Sequence, residues 1–280
     1  MILARLKKKF GELANVIGKS SIALRRARYE ELRSERCQAS AKILSGHGYK
    51  VFSQSDEDGI IDQIFRRIGA TNRVFVEFGV GDGLENNTAA LLFDGWTGLW
   101  IEGSKEYCDT IQAGMAGLIA ASRLKLVNAY IYPDNIDTLI ASNLLGREID
   151  LLSVDIDGND AHVIEQIRCI SPRVVVVEYN AKFGPVISFC MEFNRDHVWR
   201  GSDNFGASLK YYEHLFKARG YSLVGCNIVG TNAFFVRNDL LGDHFDPVCT
   251  AERHFEPARY ELVGLPSGHP ASHSTFKSIV

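Results

Sequence analysis

Short apolar runs alternate with segments of helical periodicity through the middle of the chain. Five of these runs are rich in valine, leucine and isoleucine, which is typical of strands that are buried on both faces. The runs are Val74–Phe78, Gly98–Ile101, Leu124–Val127, Leu151–Val154 and Val174–Val177. Because helix-length segments separate them, the pattern predicts a parallel sheet covered by helices.

A different pattern follows the fifth run. Tyr221–Cys226 and Ala233–Arg237 are β-rich and flank a connection that contains glycine and asparagine. Such a pair predicts an antiparallel hairpin. The expected order is therefore five parallel strands followed by a hairpin, seven strands in all.

The first part of the chain is basic. Residues 1–36 contain ten Lys or Arg against four Glu, and apolar residues recur there at three- and four-residue steps. These apolar residues are Ile2, Leu6, Phe10, Leu13 and Ile17. The spacing predicts one or two amphipathic helices that end near Ser45 and Gly46. They could anchor the protein to a membrane surface or hold an anionic substrate. Alternatively they could pack on the main domain or on a second subunit, which is the commoner use of an amphipathic helix.

We divide the chain into a basic helical extension (1–45), a main domain (46–242) and a C-terminal tail (243–280). The tail contains Pro247, Pro257, Pro266 and Pro270. Because proline interrupts regular hydrogen bonding, we expect the tail to be extended and largely irregular.

Composition narrows the function classes. The chain has 280 residues, 46% of them hydrophobic and 23% charged, with a net charge of −3. This balance is typical of a globular protein and gives no reason to expect a nucleic-acid partner. No apolar run approaches the ~20 residues that span a bilayer, and because the first ten residues are basic and no apolar stretch follows them, we expect no secretory signal. Six cysteines without a C-x-x-C pair indicate reduced thiols rather than disulfides or a zinc site. We therefore expect a cytoplasmic protein.

The first predicted strand runs into a glycine-rich turn that contains Gly79, Gly81 and Gly83. Glycine lets a ligand approach the backbone closely. The spacing is G-x-G-x-G, whereas a dinucleotide-binding turn needs G-x-G-x-x-G and a P-loop needs G-x-x-x-x-G-K-[ST]. Glu77 precedes the first glycine by two residues, and Leu84 stands where the third dinucleotide glycine would be.

This turn resembles the first motif of class I methyltransferases. The resemblance implies that S-adenosylmethionine lies against the turn, which contains Gly79, Gly81, Asp82 and Gly83, with Glu77 near its ammonium and sulfonium groups. A carboxylate suits those cations and would repel a pyrophosphate. The implied fold is a Rossmann-like α/β fold: the seven-stranded class I methyltransferase sheet, with five parallel strands and then the hairpin, and an N-terminal helical extension.

The second and third strands end in residues that can hold an adenosine. Glu102 lies about twenty residues beyond the turn, where an acid can accept hydrogen bonds from both ribose hydroxyls. Gly103 and Ser104 follow it, and Asn128 ends the third strand as a polar contact for adenine. Glu102 could equally hold the ribose of NAD. It therefore predicts a cofactor that contains adenosine but does not by itself predict methyl transfer.

Acids also follow the fourth and fifth strands. Asp155 and Asp157 come after the fourth, with His162 just beyond, and Glu178 ends the fifth. Such acids can simply form turns and cap helices. Alternatively, one of these carboxylates or His162 is the general base that accepts a proton from a substrate hydroxyl. A third possibility is that the three carboxylates bind Mg²⁺; we assign no metal ligand from the sequence alone.

Three segments resemble FkbM-type methyltransferases: residues 153–158 (SVDIDG), 54–60 (QSDEDGI) and 232–236 (NAFFV). The resemblance covers roughly residues 52–240. It implies O-methylation of a sugar, a glycan or a similar polyhydroxylated small molecule. Aromatic and polar residues that could contact such a ring occur together between Lys182 and Tyr212. The alternatives are a non-catalytic methyltransferase-like binding protein and a nicotinamide-dependent oxidoreductase.

Overall fold

The computed structural model describes residues 2–144 and 148–279. Within them, seven strands form one sheet. The strands are β1 (Val74–Phe78), β2 (Thr97–Glu102), β3 (Leu124–Asn128), β4 (Leu151–Val154), β5 (Val174–Glu178), β6 (Tyr221–Cys226) and β7 (Asn232–Arg237). Their order across the sheet is β3-β2-β1-β4-β5-β7-β6. The first five strands are parallel, and β7 runs antiparallel to both β5 and β6.

This arrangement confirms the predicted fold, a Rossmann-like seven-stranded sheet with five parallel strands and an antiparallel hairpin. Four strands (β2, β3, β5 and β7) are longer than their predicted runs, because a polar residue at the end of each still pairs with a neighbouring strand. Glu102 pairs with Asn128, and Glu178 pairs with Asn232. The candidate polar residues therefore stand on the strand ends themselves, where the sheet fixes their positions.

Helices cover both faces of the sheet. The α-helices are α1 (Ile2–Ala39), α2 (Glu57–Ile68), α3 (Ala89–Phe93), α4 (Lys105–Gly114), α5 (Ala116–Ala120), α6 (Ile136–Asn143), α7 (Asp160–Ile164), α8 (Leu209–Ala218) and α9 (Ala251–His254). Alternate strand residues enter two separate cores, as the two-residue period of a strand requires. Phe75 packs with Trp100 and the apolar face of α2, whereas Val76 packs on the side of α7 and α8.

The N-terminal segment forms a single long helix rather than a helix that continues to Ser45 and Gly46. Helix α1 ends at Ala39, and a 3-10 turn follows at Leu44–His47. The turn buries Leu44 in the core beneath the sheet and brings Gly46 against the backbone of Cys37. The side chains of Ile2, Leu6 and Phe10 lie outside those that the structure describes.

The residues after Gly242 form α9 and 3-10 turns, connected by irregular backbone. They are nevertheless anchored, because Phe245, Leu262 and Phe276 are buried. All six cysteines are free. Among the described residues, every helix is too short or too polar to traverse a lipid bilayer.

Candidate functional site

The site lies where the strand order reverses, between β1 and β4. In open α/β sheets, a crevice forms at this point outside the carboxyl ends of the strands. The turn after β1 begins at Gly79, whose φ is 71°. A Cβ atom there would stand 1.7 Å from the carbonyl oxygen of Asp155. Glycine is therefore required at this position by the backbone that leaves β4, and the close approach joins the two halves of the crevice.

Gly81 has a different environment. Its φ is 55°, and a Cβ atom added to it would meet open space. Its N–H donates to Glu102 Oε2 at 2.9 Å, while Glu102 Oε1 accepts from the Ser104 N–H at 2.7 Å. The Glu102 side chain is thus fixed between the turn after β1 and the start of α4, and Gly81 faces the crevice.

The crevice is a cleft of about 680 Å³. Six residues predicted from the sequence line it: Gly79, Gly81, Glu102, Gly103, Asp155 and Asp157. The other lining residues include Gln54, Tyr107, Tyr130, Tyr132, Asn159, Arg195, Asp196, His197 and Val198. The predicted cofactor residues and acids therefore include the floor of the cleft, and the stretch predicted to contact an acceptor supplies Arg195 and His197 to its wall.

Glu77 does not line the cleft. Its carboxylate is buried and accepts hydrogen bonds from the N–H groups of Asn87 and Thr88, at 2.8 and 3.1 Å, and from the Thr88 hydroxyl at 2.5 Å. Burial raises the pKa of Glu77 to about 7, against the lowering effect of these hydrogen bonds. The structure gives Glu77 the role of holding the loop before α3.

Four other predicted cofactor residues support the cleft from outside. The Asp82 carboxylate accepts from the Leu84 N–H at 3.0 Å, and Gly83 packs beside Trp100. Ser104 caps α4 by accepting from the Tyr107 N–H. The Asn128 side chain donates to the carbonyl oxygens of Glu102 and Gly103 at 2.9 and 3.1 Å. It therefore holds the end of β2 in place.

Three carboxylates come together at the ends of β4 and β5. One oxygen from each of Asp155, Asp157 and Glu178 lies within 4.8 Å of the other two. Burial, followed by repulsion from neighbouring carboxylates, raises the pKa values of Asp155 and Glu178 well above the usual range. Since like charges this close repel strongly, the group retains a proton or attracts a cation.

The turn between these acids has its own support. Asp157 adopts a φ of 58°, which is uncommon outside glycine. The buried Asp160 carboxylate accepts from the N–H groups of Ile156 and Gly158, at 2.8 and 2.9 Å. His197 Nε2 lies 3.1 Å from the Asp157 carbonyl oxygen. These contacts hold the turn in the conformation that places Asp157 in the cleft.

His162 is separated from the cleft. Its Nε2 lies 2.8 Å from the carbonyl oxygen of Met191, and its ring packs edge-on against Phe193. Residue 162 is on α7, one turn beyond the acids, and that helix directs it toward the insertion between β5 and α8. In this structure the imidazole supports the insertion and does not face the carboxylates.

That insertion forms one wall of the cleft. The Arg195 guanidinium lies over the ring of Tyr132, 3.9 Å from its centroid, and donates to Asp134 at 2.9 Å. The Asn159 side chain donates to the Asn194 carbonyl oxygen at 2.8 Å. Aromatic and polar residues in this stretch were a visible sequence signal, but their partners lie 35 to 63 residues away in the chain and could not be read from it.

The segment at the start of α2, residues 54–58, also contributes to the site. Gln54 lines the cleft, whereas Glu57 is fully buried. Glu57 Oε1 accepts from the side-chain amides of Asn227 and Asn232 at 2.7 and 3.0 Å. Glu57 thus connects α2 to the β6–β7 hairpin and fixes the segment that carries Gln54.

Comparisons with known proteins give structural likenesses at low sequence identity. No protein-family model matches the sequence, and no curated protein matches it. Solved structures that resemble this fold include S-adenosylmethionine-dependent methyltransferases. A predicted caffeoyl-CoA O-methyltransferase from Staphylococcus aureus is 16% identical, with 78% of this chain and 98% of that chain covered and a TM-score of 0.47.

Two further structures are similar at the same level. A methyltransferase from Clostridium acetobutylicum, described as S-adenosylmethionine-dependent, is 10% identical, with coverages of 63% and 89% and a TM-score of 0.40. The glycopeptide N-methyltransferase MtfA complexed with sinefungin is 12% identical, with coverages of 68% and 90% and a TM-score of 0.40. At such low identity, the function of this chain has to be argued from its own residues.

Proposed function

We propose that the protein is an S-adenosylmethionine-dependent methyltransferase that methylates a hydroxyl oxygen of a sugar, a glycan or a similar polyhydroxylated small molecule. The observation that carries this proposal is the position of Glu102. Its carboxylate is fixed at Gly81, in a cleft whose opposite side carries the carboxylates of Asp155 and Asp157.

The cleft suits this cofactor in size and charge. Its volume of about 680 Å³ falls within the range of about 300–1,000 Å³ that is usual for small-molecule sites. Gly81 leaves room for a ligand beside the backbone, where any side chain would intrude. Glu102 can accept hydrogen bonds from ribose hydroxyls, since each carboxylate oxygen has a second acceptor position. The acids would attract ammonium and sulfonium groups and repel the pyrophosphate of NAD.

S-adenosylmethionine supplies, when bound, a methyl group on a positively charged sulfur. The cleft would hold an acceptor hydroxyl in line with that methyl group and the sulfur, so that S-adenosylhomocysteine would leave as the methyl group is transferred, and a carboxylate of the cleft would accept the hydroxyl proton. Asp155 is our candidate for that base because it lines the cleft and because burial raises its pKa, which makes its ionised carboxylate a stronger proton acceptor. Glu178, which has a carboxylate oxygen within 4.8 Å of one from Asp155, contributes to the negative charge of the site. Most of the rate enhancement would come from alignment of the reacting atoms.

The insertion between β5 and α8 is our candidate acceptor surface. Val198 lies on the cleft and Trp199 beside it is about half exposed. Aromatic rings beside hydrogen-bonding groups are suited to carbohydrate-like ligands. His197 and Arg195 supply such polar groups in the same wall.

Calorimetric titration of the purified protein with S-adenosylmethionine, S-adenosylhomocysteine and NAD tests the cofactor. We expect binding of the first two and none of NAD; the opposite result would reject the proposal in favour of an oxidoreductase. A screen of sugar acceptors, read by S-adenosylhomocysteine release, tests the reaction. Asp155→Asn should abolish turnover, and Asp243→Asn, an exposed change in the tail, should not. Cofactor binding without turnover on any acceptor would favour a non-catalytic binding protein.

A second candidate role for the three carboxylates is Mg²⁺ binding. Their oxygens, within 4.8 Å of one another, are of the type that this ion prefers. Turnover that is lost with EDTA and restored by Mg²⁺ would support this role, and turnover unaffected by EDTA would exclude it.

A further inference from the structure

Helix α1 has two halves with different environments. From Arg25 onward it is fixed to the body of the protein: Arg25 donates to the Val263 carbonyl oxygen at 2.6 Å, and Leu32 is buried against Ile228 and Val229. Arg36 forms two hydrogen bonds of 3.0 Å with the Glu256 carboxylate. The direction of the helix is therefore set by its second half, and the first half extends from this attachment.

The first half presents apolar side chains to solvent. Every residue from Leu13 to Leu24 is exposed. Leu13, Val16, Ile17 and Leu24 have exposed fractions of 55%, 60%, 60% and 72%. Spacings of three, four and seven residues place these side chains along one side of the helix. Exposure of such an apolar strip to water is unfavourable in free energy, which indicates that another surface covers it.

The charge of this half decides which surface is suitable. Residues 1–28 contain eight Lys or Arg and one acid, Glu12. Pairing with the same helix of a second copy would bring two strongly cationic segments together, which is unfavourable. A membrane that contains anionic lipids attracts the same charges and also accepts the apolar strip. Since no described helix can span a bilayer, the helix would lie along the surface.

We propose that the first half of α1 binds an anionic membrane surface, with Leu13, Val16, Ile17 and Leu24 inserted among the lipids and the lysines at the headgroups. This inference is independent of methyl transfer, because it uses none of the residues of the cleft. Binding through this basic segment would keep the protein close to lipid-linked or membrane-bound molecules.

Sedimentation with lipid vesicles tests the proposal on the full chain. We expect the protein to pellet with vesicles of phosphatidylcholine and phosphatidylserine, to remain in solution with phosphatidylcholine alone, and to lose binding in high salt. Leu13→Asp/Ile17→Asp should abolish pelleting. Lys9→Gln/Lys19→Gln should weaken it by roughly 25-fold, about fivefold for each charge removed.

Matched controls separate the helix from general effects of charge and apolar exposure. Lys217→Gln changes an exposed lysine on α8, and Val248→Asp changes an exposed valine in the tail; both should bind vesicles as the wild type does. Circular dichroism and thermal unfolding of each variant verify that it is folded. Absence of wild-type binding to anionic vesicles would overturn the proposal. So would a dimer in sedimentation equilibrium that Leu13→Asp/Ile17→Asp converts to a monomer, since this would identify a second copy as the occupant.

Discussion

The backbone N–H of Gly81 donates a hydrogen bond of 2.9 Å to the carboxylate of Glu102. This bond connects the glycine turn after β1 to the end of β2, two segments that are 21 residues apart. It fixes a negatively charged group at the cleft before any ligand binds. Preorganisation of this kind reduces the entropy that binding would otherwise cost.

Glu102→Gln should weaken S-adenosylmethionine binding by about 10- to 100-fold, because a charge-assisted acceptor is lost and an amide nitrogen faces a donor. Calorimetry measures the affinity. Glu106→Gln, an exposed change in the first turn of α4, is the matched control and should bind normally. Equal affinity of the wild type and Glu102→Gln would contradict the assigned contact.

Alanine at Gly79 should mainly destabilise the fold, whereas alanine at Gly81 should mainly weaken cofactor binding. Gly79→Ala places Cβ against the Asp155 carbonyl oxygen, so the free energy of unfolding should fall by on the order of 3 kcal/mol or more. Gly81→Ala meets open space and should cost about 1 kcal/mol for its left-handed conformation, yet weaken cofactor binding. Urea unfolding and calorimetry measure both quantities. A similar loss of stability in the two variants would be inconsistent with the structure.

The stability of the unliganded protein should fall as pH rises. Asp155, Glu178 and Glu77 all have folded-state pKa values above the usual range, so the folded state holds their protons to higher pH than the unfolded chain does. Their contribution is fully present below the unfolded pKa values and is lost as pH rises through the folded ones. For Glu77 this window ends at about pH 7.

Glu178→Gln isolates one of these groups. Its melting temperature should equal that of the wild type near pH 4 and exceed it by a few degrees near pH 8, because a repelling carboxylate is removed. Glu148→Gln, an exposed change, should leave the pH dependence unaltered. A melting temperature difference that stays constant with pH would argue against the crowding of charges at this site.

Glu57→Gln should lower the free energy of unfolding by about 2–4 kcal/mol, because the buried carboxylate accepts from Ser55, Asn227 and Asn232 and an amide offers one oxygen in place of two. Glu85→Gln, at an exposed ion pair with Lys50, should change it by less than about 1 kcal/mol. Chemical denaturation of both variants makes the comparison. Equal losses of unfolding free energy in the two variants would show that the buried contacts of Glu57 stabilise the fold no more than an exposed ion pair does.

The sequence predicted the sheet well because strands that are buried on both faces need continuous apolar runs, and the chain interrupts them with glycine and polar turns. Val74–Phe78 and Leu151–Val154 have the predicted bounds. Glycine spacing also located Gly79 and Gly81 at the cleft. These properties are local, since they depend on a residue's own conformational freedom and on its near neighbours in the chain.

The roles of the polar residues depended on contacts that only folding creates. Glu77 is the penultimate residue of β1 and Glu102 is the last residue of β2, yet the first is buried against Thr88 and the second faces the cleft. Alternate residues of a strand enter opposite faces, and the helix that covers each face decides whether a carboxylate finds donors or solvent. His162 was directed away from the acids by α7 in the same way. The sequence by itself determined which strands form and where the chain turns. Only the tertiary structure decided which carboxylates share a cleft, because the distances between them depend on the order of the strands across the sheet.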